Sequence, residues 1–186
     1  MSVGITKQTT SALSATEISY LEGVVAQAYG VDAGSVSTAV EYVTSGTMVV
    51  DIPEGVSNED AVAAITSAMS QALGVGEENI AVTIDPSTGA VTYTVKTNDF
   101  AATQNVQNLL QGASVANALT AQAGTVTISS VTPNEEITAQ VTIVLDADEV
   151  TVPLQQAENT VDALLGDSYS AEAEGIIFER NAFLFE

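Results

Sequence analysis

Ile80-Ala-Val-Thr-Ile-Asp-Pro-Ser-Thr-Gly-Ala-Val-Thr-Tyr-Thr-Val-Lys-Thr97 reads as two strands, 80–84 and 90–97, closed by a tight turn. Val91, Tyr93 and Val95 alternate with Thr92 and Thr94, the period of a strand with one buried face and one solvated threonine face. Asp85-Pro-Ser-Thr-Gly89 supplies a proline with pre-set φ and a glycine free to take positive φ, the chemistry that closes a hairpin. Such a hairpin needs helices to cover its apolar face, and the sequence on either side provides them.

Before it, Ser57-Asn-Glu-Asp60 is an acidic helix start. Val62, Ile65, Met69 and Leu73 then recur every three or four residues until Gly74, predicting a helix over 58–73. After it, a helix runs from Asn98 through Leu110 and resumes over Ser114–Ala121. Strands Thr125–Val131 and Ile137–Leu145 follow around the turn Pro133-Asn-Glu135.

Further out, Ser14-Ala-Thr-Glu17 has capping-box spacing, and Ile18, Leu21, Val25 and Ala28 extend it into a helix over 15–29. Val36–Val43 and Thr47–Ile52 are strand-like and flank Thr44-Ser-Gly46, which reads as a second hairpin turn. Thr151 and Pro153 read as an N-cap and first-turn proline for a helix carrying Leu154, Val161, Leu164 and Leu165 and ending at Gly166. A last strand is expected over Ala171–Glu179.

Helix, hairpin, helix and hairpin or strand therefore recur, with Val36–Ile52 answered by Val126–Leu145. The expected class is α+β: two ferredoxin-like-related αββαββ repeats with pseudo-two-fold symmetry, antiparallel-rich sheets and helices on one face. The expected division is a flexible segment over 1–13, a first repeat over 14–97, a second over 98–179 and an apolar tail over 180–186. Thr47–Val131 alone already spells strand, helix, strand, strand, helix, strand. A second such unit forms from the outer pieces only if they meet, within one chain or across two.

Composition narrows function by exclusion. The 186 residues carry 24 carboxylates against three cations, Lys7, Lys96 and Arg180, for a net charge of -21, with no Cys, His or Trp. A surface this negative repels the phosphates of nucleic acid and anionic lipid, and no apolar run approaches the roughly 18 residues of a bilayer span. Without Cys or His there is no disulfide framework, thiolate nucleophile, Ser-His-Asp triad or histidine-ligated metal. The start Met1-Ser-Val-Gly-Ile-Thr-Lys7 lacks the pattern of a targeting peptide.

Carboxylates are the remaining chemistry. Asp146-Ala-Asp148-Glu149 fails the EF-hand pattern because Val150 stands at the fifth position. Glu77-Glu78 and Glu135-Glu136 are neighbours in turns, without the facing geometry or aromatic platforms of a glycosidase. Ser45-Gly46-Thr47 loosely resembles the cleavage turn of self-cleaving SEA domains, with Met48 departing from the pattern. These residues point to no enzyme, cofactor or metal.

Gly175-Ile-Ile-Phe-Glu-Arg-Asn-Ala-Phe-Leu-Phe185 concentrates three of the four Phe residues. So apolar a strand is expected to dock, either completing its own sheet or adding to a neighbouring copy, with a short disordered tail as the third reading. Ile176, Ile177, Phe178, Arg180, Phe183, Leu184 and Phe185 are the expected assembly interface. Together with Leu73–Val95 and its weaker counterpart Thr125–Asp146, this segment resembles the pyrenoid shell proteins of diatom chloroplasts. The resemblance implies a homo-oligomeric shell around the Rubisco matrix in the chloroplast pyrenoid, serving carbon dioxide concentration. An extracellular SEA-like binding or adhesion module is the alternative expectation.

Overall fold

The computed structural model describes residues 1–166 and 169–174. Seven strands and five α-helices lie among them, and the expected mixed α+β class is found. In chain order they are β1 Ser2–Thr9, α1 Ala15–Tyr29, β2 Ser37–Asp51, α2 Asn58–Leu73, β3 Ile80–Ile84, β4 Val91–Thr97, α3 Phe100–Leu110, α4 Val115–Ala123, β5 Thr127–Pro133, β6 Ile137–Val144, α5 Leu154–Leu165 and β7 Ser170–Glu174.

The helix starts are written locally. At α1 the Ser14 hydroxyl accepts the Glu17 N–H at 3.2 Å, while the Glu17 carboxylate accepts the Ser14 N–H at 3.0 Å. At α2 the Ser57 hydroxyl accepts the Asp60 N–H at 3.1 Å, and Glu59 and Asp60 place negative charge on the positive end of the helix dipole. Gly30 and Gly74 end these helices at φ of 70° and 67°. The expected cap at Thr151 is not one: its hydroxyl donates to the Gly30 carbonyl at 3.1 Å, tying the loop before α5 to the end of α1, and α5 starts at Pro153 without a side-chain cap.

The chain packs as two compact units. One comprises residues 1–7, 14–39 and, among the described residues, 141–166 with 169–174; the other comprises residues 8–13 and 40–140. These are not the sequential halves 14–97 and 98–179. In chain order the first unit holds β1, α1, the opening residues of β2, the end of β6, α5 and β7; the second holds the rest of β2, α2, β3, β4, α3, α4, β5 and the start of β6.

In the first unit the strand order is β6-β1-β7. The segment over 1–13, expected to be flexible, holds β1, antiparallel to β7 from Ser2 opposite Glu174 to Thr6 opposite Ser170. Val3 and Ile5 point inward and are buried, so the strand period was present but short, with the charged Lys7 at the next inward position. Leu21, Val25 and Tyr29 of α1, Val141 and Ile143 of β6, and Ala157, Val161 and Leu165 of α5 are the unit's other buried side chains of note.

In the second unit the order is β3-β4-β2, with β5 also on β2, and all three pairings are antiparallel. Helices cover one face. Ile65 and Met69 of α2, Val106 and Leu110 of α3 and Leu119 of α4 join Met48, Ile80, Val91, Tyr93, Val95 and Ile128 in one apolar core. Buried and half-buried polar groups are used as ties. Gln107 Nε2 donates to the carbonyls of Asn134 at 2.7 Å and Glu135 at 3.0 Å, and the Thr120 hydroxyl accepts the Ile128 N–H at 2.8 Å.

β2 corrects the sequence reading. Thr44-Ser45-Gly46 is not a turn; the strand is continuous from Ser37 to Asp51. Gly46 does not take positive φ. It stands between Tyr93 on β4 and Pro133 on β5, where a Cβ would strike the Thr132 carbonyl and lie 2.7 Å from Pro133 Cα. Glycine is there for close approach of backbones. A strand interior also removes the SEA-like cleavage turn, since Gly46 and Thr47 hold ladder positions.

Gly46→Ala is therefore expected to lower unfolding free energy by about 1–3 kcal/mol, the usual cost of overpacking. Tyr93→Phe is expected to hold or raise it, because the buried Tyr93 hydroxyl has no hydrogen-bond partner among the described residues. Urea unfolding of both variants checks this, and an unchanged midpoint for Gly46→Ala would refute the close-approach reading.

Candidate functional site

The seven residues expected to form an assembly interface, Ile176, Ile177, Phe178, Arg180, Phe183, Leu184 and Phe185, lie outside the described residues, as does the tail over 180–186. What is described leads up to them. β7 ends the strand order beyond β1, and its last residue, Glu174, directly precedes Gly175.

Of the carboxylates singled out in the sequence, Asp146 accepts the Asp148 N–H at 3.0 Å in a single 3-10 turn, while Glu77 and Glu78 open another such turn, where Glu78 accepts the Asn79 side-chain amide at 3.4 Å. Asp85 is saturated by its own hairpin, accepting the hydroxyl of Ser87 at 2.5 Å, the Ser87 N–H at 2.8 Å and the Thr88 hydroxyl at 2.8 Å. These bonds favour the ionised form and hold the Asp85 carboxyl down to about 2, led by the Ser87 hydroxyl. A carboxylate held this way staples a turn and is a poor proton donor near neutrality. Among the described residues no three of His, Cys, Asp and Glu are grouped to hold a metal ion. No described helix is long and apolar enough to cross a membrane.

The two described cations are each committed to a carboxylate. Lys96 Nζ lies 3.7 Å from Glu41, both half exposed. Lys7 Nζ donates to Glu17 at 2.7 Å and sits 5.1 Å from the centre of the Tyr169 ring, while Glu17 also serves the capping box. Glu17 is thus shared between a helix start and an ion pair to β1.

Two surface features remain. In the first unit Tyr20 of α1 is 50% exposed and donates its hydroxyl to the Leu164 carbonyl of α5 at 3.0 Å, beside the exposed Leu164 side chain. In the second, the uncovered face of the sheet aligns hydroxyls. Thr132, Thr47, Thr92 and Thr83 are consecutive partners across β5, β2, β4 and β3, and all four are exposed. The next row joins Ser45, Thr94 and Ala81, with Asn134 Nδ2 donating to the Ser45 hydroxyl at 2.8 Å. The solvated threonine face expected for β4 thus extends over four strands. The alternation of Thr with apolar residues signalled each strand's wet face, but alignment across strands needed the register.

Among known proteins, no family model, curated protein or solved structure matches this chain.

In an NMR titration the Glu17 carboxyl is expected to show a midpoint near 2, below its ordinary value of 4.5, first because of Lys7 and then because of Ser14. Being depressed in the folded state, its contribution to stability is present above the ordinary value and is lost as pH falls toward 2. Lys7→Ala is expected to raise the midpoint; an ordinary midpoint in the parent chain would show that the pair does not form in solution.

Proposed function

We propose that this chain is a non-catalytic structural protein that binds copies of itself and tiles into a sheet or shell. The observation that carries the reading is the placement of β7, an end strand that runs directly into Gly175–Phe185, the most aromatic stretch of the sequence. A terminal strand presents a row of main-chain donors and acceptors to whatever adds to it. In the proposal, Ile176, Ile177, Phe178, Phe183, Leu184 and Phe185 supply the apolar contact and Arg180 a cation for a carboxylate-rich neighbour.

In finer detail, the two βαββαβ units are ferredoxin-like and related by duplication, one built from residues 40–140 and the other from the flanking segments. The second unit's strand order β3-β4-β2-β5 supports this, because it places the first and third strands of a split βαβ side by side at the centre. The resemblance to pyrenoid shell proteins gives the proposal its setting: a chloroplast lattice around the Rubisco matrix that retains carbon dioxide, with the chain itself as principal partner and matrix components on one side. The engagement of Asp85 and Asp146 by the backbone of their own turns agrees with a role that needs no acid or base.

Electron microscopy of the purified chain, over a range of protein concentration and salt, is expected to show sheets or tubes. Removing Ala182–Glu186 is expected to leave a folded monomer. Salt is expected to promote assembly, because a net charge of -21 opposes it and screening at physiological ionic strength cuts repulsion beyond about 8 Å. A chain that stays monomeric throughout, or intact lattices from the truncated form, would overturn the respective claim.

A further inference from the structure

Among the described residues three strands are paired on one side only: β3, β5 and β7. Two of them are blunted against further pairing. β7 carries Glu172 and Glu174, and β5 has a register shift in its pairing with β2 and ends at Pro133; charge, bulges and proline are the usual devices that keep an edge from taking another strand. β3 has none of them. Ile80-Ala-Val-Thr-Ile84 is uncharged and free of proline, and its register on β4 is unbroken from Ile80 opposite Val95 to Ile84 opposite Val91. Alternate residues of such a strand turn their N–H and C=O away from the partner. The apolar surface beside β3 is also unfinished. Ile80 is buried, but Val82 and Ile84 on the same face are only half-buried, as are Ala72 and Val75 just before the strand, and these four pack against the core of the second unit. Glu77 and Glu78, in the 3-10 turn that leads into Ile80, are both exposed.

A strand that fits this edge needs apolar side chains at alternate positions and a cation at one end. Ile176-Ile-Phe-Glu-Arg180 has that pattern. Laid antiparallel on β3 with Ile176 opposite Ile84, it puts Phe178 opposite Val82 and Arg180 opposite Ile80, because opposed residues of an antiparallel pair share a face. Ile176 and Phe178 then cover the two half-buried side chains, and Arg180 comes to Glu77 and Glu78. Ile177 and Glu179 fall on the solvated face with Thr83 and Ala81. A slip of one residue would turn Glu179 onto the apolar side. Parallel pairing would carry Arg180 toward Asp85, whose carboxylate is already filled by Ser87 and Thr88. The other two cations of the sequence, Lys7 and Lys96, already face Glu17 and Glu41.

We infer that β3 is the acceptor edge of self-assembly and takes Ile176–Arg180 of a second copy as an added antiparallel strand. The inference rests on the self-assembly reading and supplies the surface that the segment after β7 meets. Main-chain hydrogen bonds give such a contact its affinity, and the alternate side chains set its register. Each copy gives one strand and takes one. The contact is therefore heterologous, the kind that builds rings or open arrays rather than a closed pair.

Amide hydrogen exchange of the full chain across a concentration series, read beside sedimentation, tests it. Protection over Ile80–Ile84 is expected to rise as the chain associates. Arg180→Glu is expected to raise the concentration needed for association by about tenfold or more, Glu77→Arg with Glu78→Arg is expected to act in the same direction, and the three changes together are expected to restore it. Circular dichroism melts report that each variant folds. Added protection of β3 that is the same at every concentration would put the chain's own segment on the edge and overturn the second copy. Association with no added protection at β3, or with no rescue by the combined reversal, overturns the acceptor edge while leaving the assembly reading intact; a parent that remains monomeric and unprotected overturns both.

Discussion

β2 is the strand on which the second unit depends, and its course depends on the absence of a side chain at Gly46. β4 pairs along one side of the strand and β5 along the other, and at Gly46 the two neighbours are Tyr93 and Pro133. A Cβ there has no space among backbone atoms that cannot move without breaking a ladder. Because β2 continues through this point, Met48 reaches the helix-covered core while Thr47 and Val49 stay on the open face. A turn at the same place would have ended the pairing with β4 and β5 and left the three helices without a sheet to cover.

Polar chemistry in this molecule is spent on structure. Glu17 serves a helix cap and an ion pair at once, Asp85 is surrounded by the donors of its own turn, and Gln107 bridges α3 to the β5–β6 turn. The exceptions are the buried hydroxyls of Tyr29, Thr38, Thr44 and Tyr93, which have no partner among the described residues. Burial raises the two tyrosines above their ordinary range, so each stays neutral.

Legibility followed the range of the interaction. The helices and the 80–97 hairpin were readable because caps, periodicity and turn residues act within a few positions, and α1, α2 and β3 match their expected bounds. Gly46 was misread because the reason for it lies at Tyr93, Thr132 and Pro133, distant in sequence. β1 was missed because only Val3 and Ile5 carry its apolar face, and Thr151 because its partner is Gly30. The threonine row was half readable: each strand announced its own wet face, but Thr132, Thr47, Thr92 and Thr83 become neighbours only once three registers are known. The residues expected at the assembly interface fall beyond the last described strand.

The division into units also sets an order of events. Apart from residues 8–13, the second unit is one uninterrupted stretch, 40–140, so its contacts can form while the chain is still being synthesised. The first unit needs partners more than a hundred positions apart, such as Ser2 and Glu174, and cannot close until the last of them has been made. Non-local closure of this kind is slow, and it delays the seating of β7. In the proposed assembly that delay has a use: β7, which leads into Gly175–Phe185, takes its place last, which would limit premature association among half-made chains.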